Sequence, residues 1–215
     1  ADVRKLAVQA LLEMRDPAPL WEPLLGHAGA DQTLLLGFKN PKLKPLTGRT
    51  LASVAKERGV SPEEAAIDLV IEDGSRVGTA YMLMSAENVR RQVALPWMSF
   101  GSDAQAMAPE GVFLQSNPHP RAYGNFARLL ARYVRDERAI TLEDAVRRLS
   151  ALPAQNLAIA ERGMLKDGYF ADVVVFDQQK IQDHATFEKP HQFATGVSEV
   201  LVNGEIALKA GVPTG

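Results

Sequence analysis

The hydrophobic period switches near residue 160, and no other feature limits the fold as tightly. Upstream, apolar residues recur at helical spacing, broken by short apolar runs; downstream, they run continuously or alternate, as strands require. Helices with isolated strands followed by paired strands alone imply two structural units.

Val3, Leu6, Ala7, Ala10, Leu11 and Met14 share one face of a first helix, with Asp2 placed to cap it and Pro17 beyond its end. Leu51, Val54 and Ala55 mark a second helix, closed by Gly59 at its C-cap. Ser61-Pro62-Glu63-Glu64 carries the side chains of a capping box, and its helix runs through Ala66, Ile67, Val70 and Ile71 to a turn at Asp73-Gly74. Ser85 starts a short helix that ends before Pro96. Phe126, Leu129, Leu130, Tyr133 and Val134 face one way along a further helix, with Arg128, Arg132 and Arg135 outward. Thr141 caps the next, which turns Leu142, Ala145, Val146 and Leu149 inward and ends at Pro153.

Strands are expected at 33–38, 79–84 and 97–100, with loops at 40–49 and 104–118. In the tail, Gly163 and Gly168 flank a turn before the β-branched run YFADVVVFD (169–177). VSEVLVNGEIAL (197–208) alternates up to Asn203-Gly204, a strong hairpin signal.

Composition removes several function classes. The chain has 215 residues, 46% hydrophobic and 23% charged, and its net charge of -2 offers no basic field to nucleic acid or anionic lipid. No apolar run approaches the ~18 residues of a spanning helix, so no membrane partner is expected. Cysteine is absent, which excludes disulfides and thiol metal ligands within this stretch and is compatible with the expected cytoplasmic location. The chain begins at Ala1 without a Lys/Arg-then-apolar signal.

Five segments then stand out together: GSDAQ (101–105), HPRAYGNF (119–126), GYFADVVVFD (168–177), ATFEKPHQ (185–192) and VSEVLVNGEIAL (197–208). In order and spacing they resemble the C-terminal half of the D-aminoacylases, or N-acyl-D-amino-acid deacylases, of the amidohydrolase superfamily. The resemblance covers nearly the whole chain and is weakest before residue 60. The G-x-x-A-D-hydrophobic-V-x-F-D and V-x-V-N-G pair is general to the superfamily, whereas HPRAYG and TFEKPHQ are specific to the deacylase branch.

The resemblance implies an α/β fold: the C-terminal part of a (β/α)8 barrel over residues 1–160, with an inserted subdomain at about 17–78. Residues 161–215 would then be the C-terminal strands of a small β-sandwich. A barrel needs about 250 residues, and the H-x-H motif, two further metal-binding histidines, a metal-ligating cysteine and D-x-Y-P-Y expected upstream are not in this sequence. The chain is therefore expected to be part of a longer enzyme and inactive alone. Its partners would be the remainder of the barrel and a small-molecule N-acyl-D-amino acid, and its cofactor zinc, with ligands mainly upstream.

Asp103 follows an apolar run directly, where a barrel places its chemistry. Gly-Ser-Asp is also ordinary turn chemistry, so the residues alone leave both readings open; the resemblance makes Asp103 the general acid/base. It would take a proton from metal-activated water and deliver it to the amide nitrogen. The family usually has glycine after this aspartate where Ala104 stands here, which bears on the loop geometry. Arg121, between Pro120 and Ala122, offers a planar fork to the α-carboxylate of the substrate. Tyr123 lines the pocket with it or packs beneath the loop. His119 has no second histidine or acid at ligand spacing and, with Ser102, is expected to order the loop. Asp103 is the one candidate metal ligand. His27, His184 and His191 make no cluster in sequence, Tyr81 and Ser85 are read as core and N-cap, and Asp172 and Asp177 as turn acids of the β unit. Two other functions remain: a hydantoinase- or dihydroorotase-like enzyme of cyclic amides, which HPRAYG disfavours, and a non-catalytic barrel-derived scaffold, which Ala104 and the missing ligands favour.

Overall fold

A computed structural model of the chain describes residues 2–12, 22–115 and 117–214. Met14 and Pro17, which bear on the end of the first helix, lie outside them. Contacts group the chain into two units, Ala1–Met84 with Leu114–Asn117 and Ser85–Phe113 with Pro118–Gly215.

The first unit carries α1 (Val3–Leu12), α2 (Leu24–Ala28), β1 (Thr33–Gly37), α3 (Leu51–Arg58), α4 (Pro62–Asp73) and β2 (Gly78–Tyr81). Asp2 caps α1 by accepting the Arg4 N–H at 3.0 Å, but the apolar face of that helix is mostly uncovered. Val3 and Leu6 are 79% and 54% exposed, and Leu11 packs against the core. The core is Leu25, Leu35, Phe38, Leu51, Val54 and Leu69, each such side chain contributing about 1.5–3 kcal/mol on burial. Helix α4 opens on the full capping box, Glu64 N–H to Ser61 Oγ and Ser61 N–H to Glu64 Oε2, both 3.2 Å. Gly59 ends α3 in the left-handed region at φ 69.

Asp73 lies in the last turn of α4 and is buried. Burial pushes its carboxyl up, but bonds from the Ser75 hydroxyl and the Asn40 N–H outweigh this and hold it below the ordinary carboxylate range. Strands β1 and β2 pair antiparallel, Thr33 opposite Tyr81 and Leu35 opposite Thr79. The last cross-strand bond runs from the Met82 N–H to the Gln32 carbonyl at 2.9 Å, and the Leu83 N–H then turns back to the Tyr81 carbonyl at 2.9 Å. Residues 82–84 are thus not strand, a correction to the expected 79–84.

The second unit carries α5 (Ala86–Val93), α6 (Arg121–Arg128), α7 (Leu142–Leu149), α8 (Ala151–Asn156) and strands β3 (Val173–Phe176), β4 (Val197–Val202), β5 (Glu205–Lys209) and β6 (Val212–Pro213). Ser85 caps α5 and Thr141 caps α7 through their hydroxyls. Helix α6 continues into a wider π-helical stretch, Leu129–Asp136. Its Leu129, Leu130, Tyr133 and Val134 meet Val93, Ala145 and Ile181 in the core. The tail is an antiparallel meander in the order β3-β4-β5-β6. Asn203 (φ 55) and Gly204 (φ 85) make the β4–β5 turn, as two left-handed residues in a two-residue hairpin must. The β-branched run is strand only over Val173–Phe176.

Three further expectations change. Residues 97–100 form no strand: they pair with no strand among the described residues, and backbone carbonyls at Pro96 and Met98 are bound by arginine side chains instead. HPRAYG is not a loop throughout, because α6 begins at Arg121. Pro120, with φ -51, presets the helical turn and has no N–H to leave unpaired there. Pro153 does not end a helix but lies in the first turn of α8, where its missing N–H has no intrahelical partner to lose.

Gly196 (φ 90) opens β4, and a Cβ there would run into the backbone of Ile181; Gly211 (φ 79) faces open space. Gly211→Ala should therefore cost only left-handed strain, roughly 1–2 kcal/mol. Gly196→Ala adds an overpacking penalty, for roughly 2–5 kcal/mol in all. Urea denaturation of the full-length protein checks the order; equal losses would mean that the approach to Ile181 is not tight.

Candidate functional site

Asp103 lies in the irregular stretch after α5 and stands with φ 47, in the left-handed region. Ala104 is not among the left-handed residues, so the strain of this turn falls on the aspartate, which tolerates it better than alanine. The Asp103 side chain is 91% exposed, and its Oδ2 accepts from Arg121 Nη2 at 2.9 Å. Ser102 is half-buried beside it. The first turn of α6 sets Arg121, and four residues on, Asn125 Nδ2 donates to the Gly101 carbonyl at 3.1 Å. Both ends of the 101–103 turn are thus tied to α6.

His119 Nδ1 accepts the Arg121 backbone N–H at 3.1 Å, so Nδ1 is unprotonated and a neutral ring carries its proton on Nε2. Partial burial, then the nearby Arg121 charge, push His119 below the ordinary imidazole range. Its ring meets Phe187 edge-on, centroids 4.9 Å apart. Tyr123 meets His191 and Phe193 edge-on, each at 5.9 Å, and its hydroxyl is buried with no partner among the described residues. The two motifs most specific to the deacylase resemblance, far apart in sequence, therefore interlock. Gly124 fits this arrangement: a Cβ there would come 3.0 Å from Asp183 Cβ, just before the second motif.

Within the second motif the Gln192 side-chain amide closes the loop by donating to the His184 and Lys189 carbonyls, both at 2.7 Å. His184 Nε2 lies 2.9 Å from Thr195 Oγ1, and His191 Nε2 lies 3.0 Å from the Phe113 carbonyl. Asp172 and Asp177 order turns, accepting the N–H groups of Asn203 and Gln179 at 2.9 and 2.8 Å. A cleft of about 660 Å3 lined by Val134, Arg138, Leu142 and Gln179 contains none of the residues around Asp103.

The described residues contain no group of three or more histidines, cysteines or acids able to hold a metal. Asp103 is a lone carboxylate in this respect, and this chain's residues do not fit a metal cage by themselves. What the arrangement can do is present one solvated carboxylate and one guanidinium at the same point. Sequence reasoning missed Phe187, Asn125 and Arg148, the last being fully buried although its neighbours on α7 are charged.

His119 should titrate below the ordinary imidazole range, and Phe187→Ala, which strips part of its burial, should move it up. Proton NMR titration of the ring checks both, and an unshifted midpoint would contradict the contact. The depressed value costs stability on the acid side: below the ordinary imidazole range the unfolded chain takes up the proton first, and the penalty stops growing once pH passes below the folded value.

The model of the amidohydrolase family matches residues 42–208. D-aminoacylase of Alcaligenes xylosoxydans xylosoxydans is 40% identical over 159 residues, 74% of this chain and 30% of that protein. N-acyl-D-glutamate deacylase of the same organism is 39% identical over 157 residues, 73% of this chain and 30% of that protein. Among solved structures, N-acyl-D-glutamate deacylase from Bordetella bronchiseptica, complexed with zinc and a phosphonate mimic of the tetrahedral intermediate, superposes with a TM-score of 0.71 at 36% identity. That match covers 86% of this chain and 36% of the other. D-aminoacylase, described as defining a novel subset of amidohydrolases, gives the same TM-score over 85% of this chain and 36% of its own. This chain spans less than a third of the length of the curated relatives it matches.

Proposed function

The chain belongs to the amidohydrolase family, and from that premise we propose that the protein containing it hydrolyses the amide bond of N-acyl-D-amino acids to a carboxylate and a D-amino acid. The observation that carries the reading is the meeting of Asp103 and Arg121 at 2.9 Å across eighteen positions of sequence. It occurs in a chain up to 40% identical to enzymes named for this reaction. On this reading the whole protein is a (β/α)8 barrel with residues 1–160 its C-terminal part and about 17–78 an inserted subdomain. Residues 161–215 are then the C-terminal share of a small β-sandwich, and the protein works in the cytoplasm. Zinc ligands come from the remainder of the protein, and this chain contributes the groups below.

Asp103 is the proton carrier. As water adds to the acyl carbon, the carboxylate accepts its proton, and as the C–N bond breaks it returns that proton to the departing nitrogen. Arg121 holds the substrate's α-carboxylate, for which its contact with Asp103 is a stand-in. An exposed ion pair is worth about 0–1 kcal/mol, so the guanidinium can exchange Asp103 for a substrate carboxylate at little cost. Tyr123 packs beneath the turn against His191 and Phe193 with its hydroxyl buried, and His119 and Ser102 order the turns that carry the two charged groups.

In the full-length enzyme, Asp103→Asn should lower kcat by roughly 10²–10⁴ with substrate binding little changed. Arg121→Ala should lower kcat/KM by roughly ten- to a hundred-fold, the loss of a charge-assisted grip on a carboxylate. That loss should shrink when the substrate's α-carboxylate is replaced by an amide, since both changes remove one contact. A panel of N-acyl-D- and N-acyl-L-amino acids with hydantoins and dihydroorotate decides the class. Turnover of the cyclic amides alone would replace this reading, and no turnover of any with zinc supplied would favour a scaffold.

A further inference from the structure

From Leu95 to Asp103 the chain has almost no backbone bonding, and its acceptors go to side chains of two helices. Arg147 Nη2 donates to the Pro96 carbonyl at 2.9 Å, and Arg148 Nε to the Met98 carbonyl at 2.7 Å. Asn125 takes the Gly101 carbonyl and Arg121 the Asp103 carboxylate. These anchors are unequal. Those from Arg147 and Arg121 are open to solvent, where water competes for the same acceptors. Arg148 is fully buried. It holds the end of α5 and the segment together: Nη1 to the Val93 carbonyl at 2.7 Å, Nε to the Met98 carbonyl, and its guanidinium over the Phe100 ring at 4.4 Å. Nη1 also reaches Asp144 Oδ2 at 3.1 Å, which ties the group to its own helix.

We propose that Arg148 is a positioning residue for Asp103: it fixes the course of residues 93–100, and so the place from which the carboxylate works, without touching substrate. The catalytic half of this inference rests on the deacylase reading; the positional half does not. The contacts bracket the segment from the end of α5 to three residues before Asp103, and one planar group makes all of them. Lysine keeps the charge but cannot bond two carbonyls in fixed directions while covering a ring. Methionine fills the space and leaves the carbonyls of Val93 and Met98 without this donor.

The test uses the full-length protein with Arg148→Lys, Arg148→Met and Phe100→Leu, and Glu143→Gln on the exposed side of α7 as control. Hydrogen exchange is followed over residues 94–104 beside steady-state kinetics. In variants that fold, exchange there should rise about ten-fold or more, and kcat should fall roughly ten- to a hundred-fold, the effect of misplacing a reacting group by about an ångström. KM should stay within about three-fold, because Arg121 sits on another helix. The control should change none of these. If the Arg148 variants fail to fold, Phe100→Leu, which keeps the arginine and removes the ring beneath it, carries the test. Unchanged exchange in folded variants overturns the proposal. So does faster exchange with wild-type kcat, or a raised KM with kcat intact. Should the wild-type protein hydrolyse no N-acyl-D-amino acid, the deacylase reading fails, and the exchange measurement still decides the positional half.

Discussion

One buried charge governs the second unit. Removing a guanidinium from water costs several kcal/mol unless its donors are met, and leaving such a group half-paired costs about 3–5 kcal/mol. Arg148 meets most of this demand through Nε and Nη1, with two backbone carbonyls, Asp144 and the Phe100 ring, while Nη2 is buried with no partner among the described residues. Burial alone would push the Asp144 carboxyl up, but bonds from Arg147 and Arg148 outweigh it and hold the group below its ordinary range. The cost falls on the segment after α5. Carbonyls given to an arginine are not available to a neighbouring strand, so residues 97–100 follow a path set by side chains.

The same economy of side chains explains why HPRAYG and TFEKPHQ belong together. Neither has a regular sheet to lean on. The first is braced by prolines and the start of α6, the second by the Gln192 amide spanning its own loop. Edge-on contacts of His119 with Phe187 and of Tyr123 with His191 lock one to the other. Such aromatic pairs are worth about 0.5–1.5 kcal/mol beyond their area, enough for each loop to bias the other's geometry.

Local chemistry was legible and long-range chemistry was not. Ser61 and Glu64, Gly59, Thr141, Ser85 and the Asn203-Gly204 hairpin all appear as their residue types require, because a cap or a tight turn is decided within a few residues. The strand expected at 97–100 failed because a strand exists only through its neighbours. On α7, periodicity turned Val146 inward, yet Val146 is 42% exposed while Arg148 is buried. Nothing in the spacing tells a buried arginine from a surface one; its partners lie some fifty positions away. Asp103 and Arg121 were found as types, and the structure supplied their contact. Phe187 and Asn125 lie inside the two quoted motifs, but nothing in their residue types told which contacts they would make.

The left-handed torsion at Asp103 has a consequence for how such a chain responds to selection. A non-glycine residue there holds roughly 1–2 kcal/mol of strain, less for aspartate than for most. Glycine would release that strain and remove the carboxylate in the same step. On the proton-carrying role proposed for Asp103, variants recovered only for folded yield should drift to glycine at 103, while those recovered for turnover should retain the acid. Durability and reactivity are opposed at a single torsion angle.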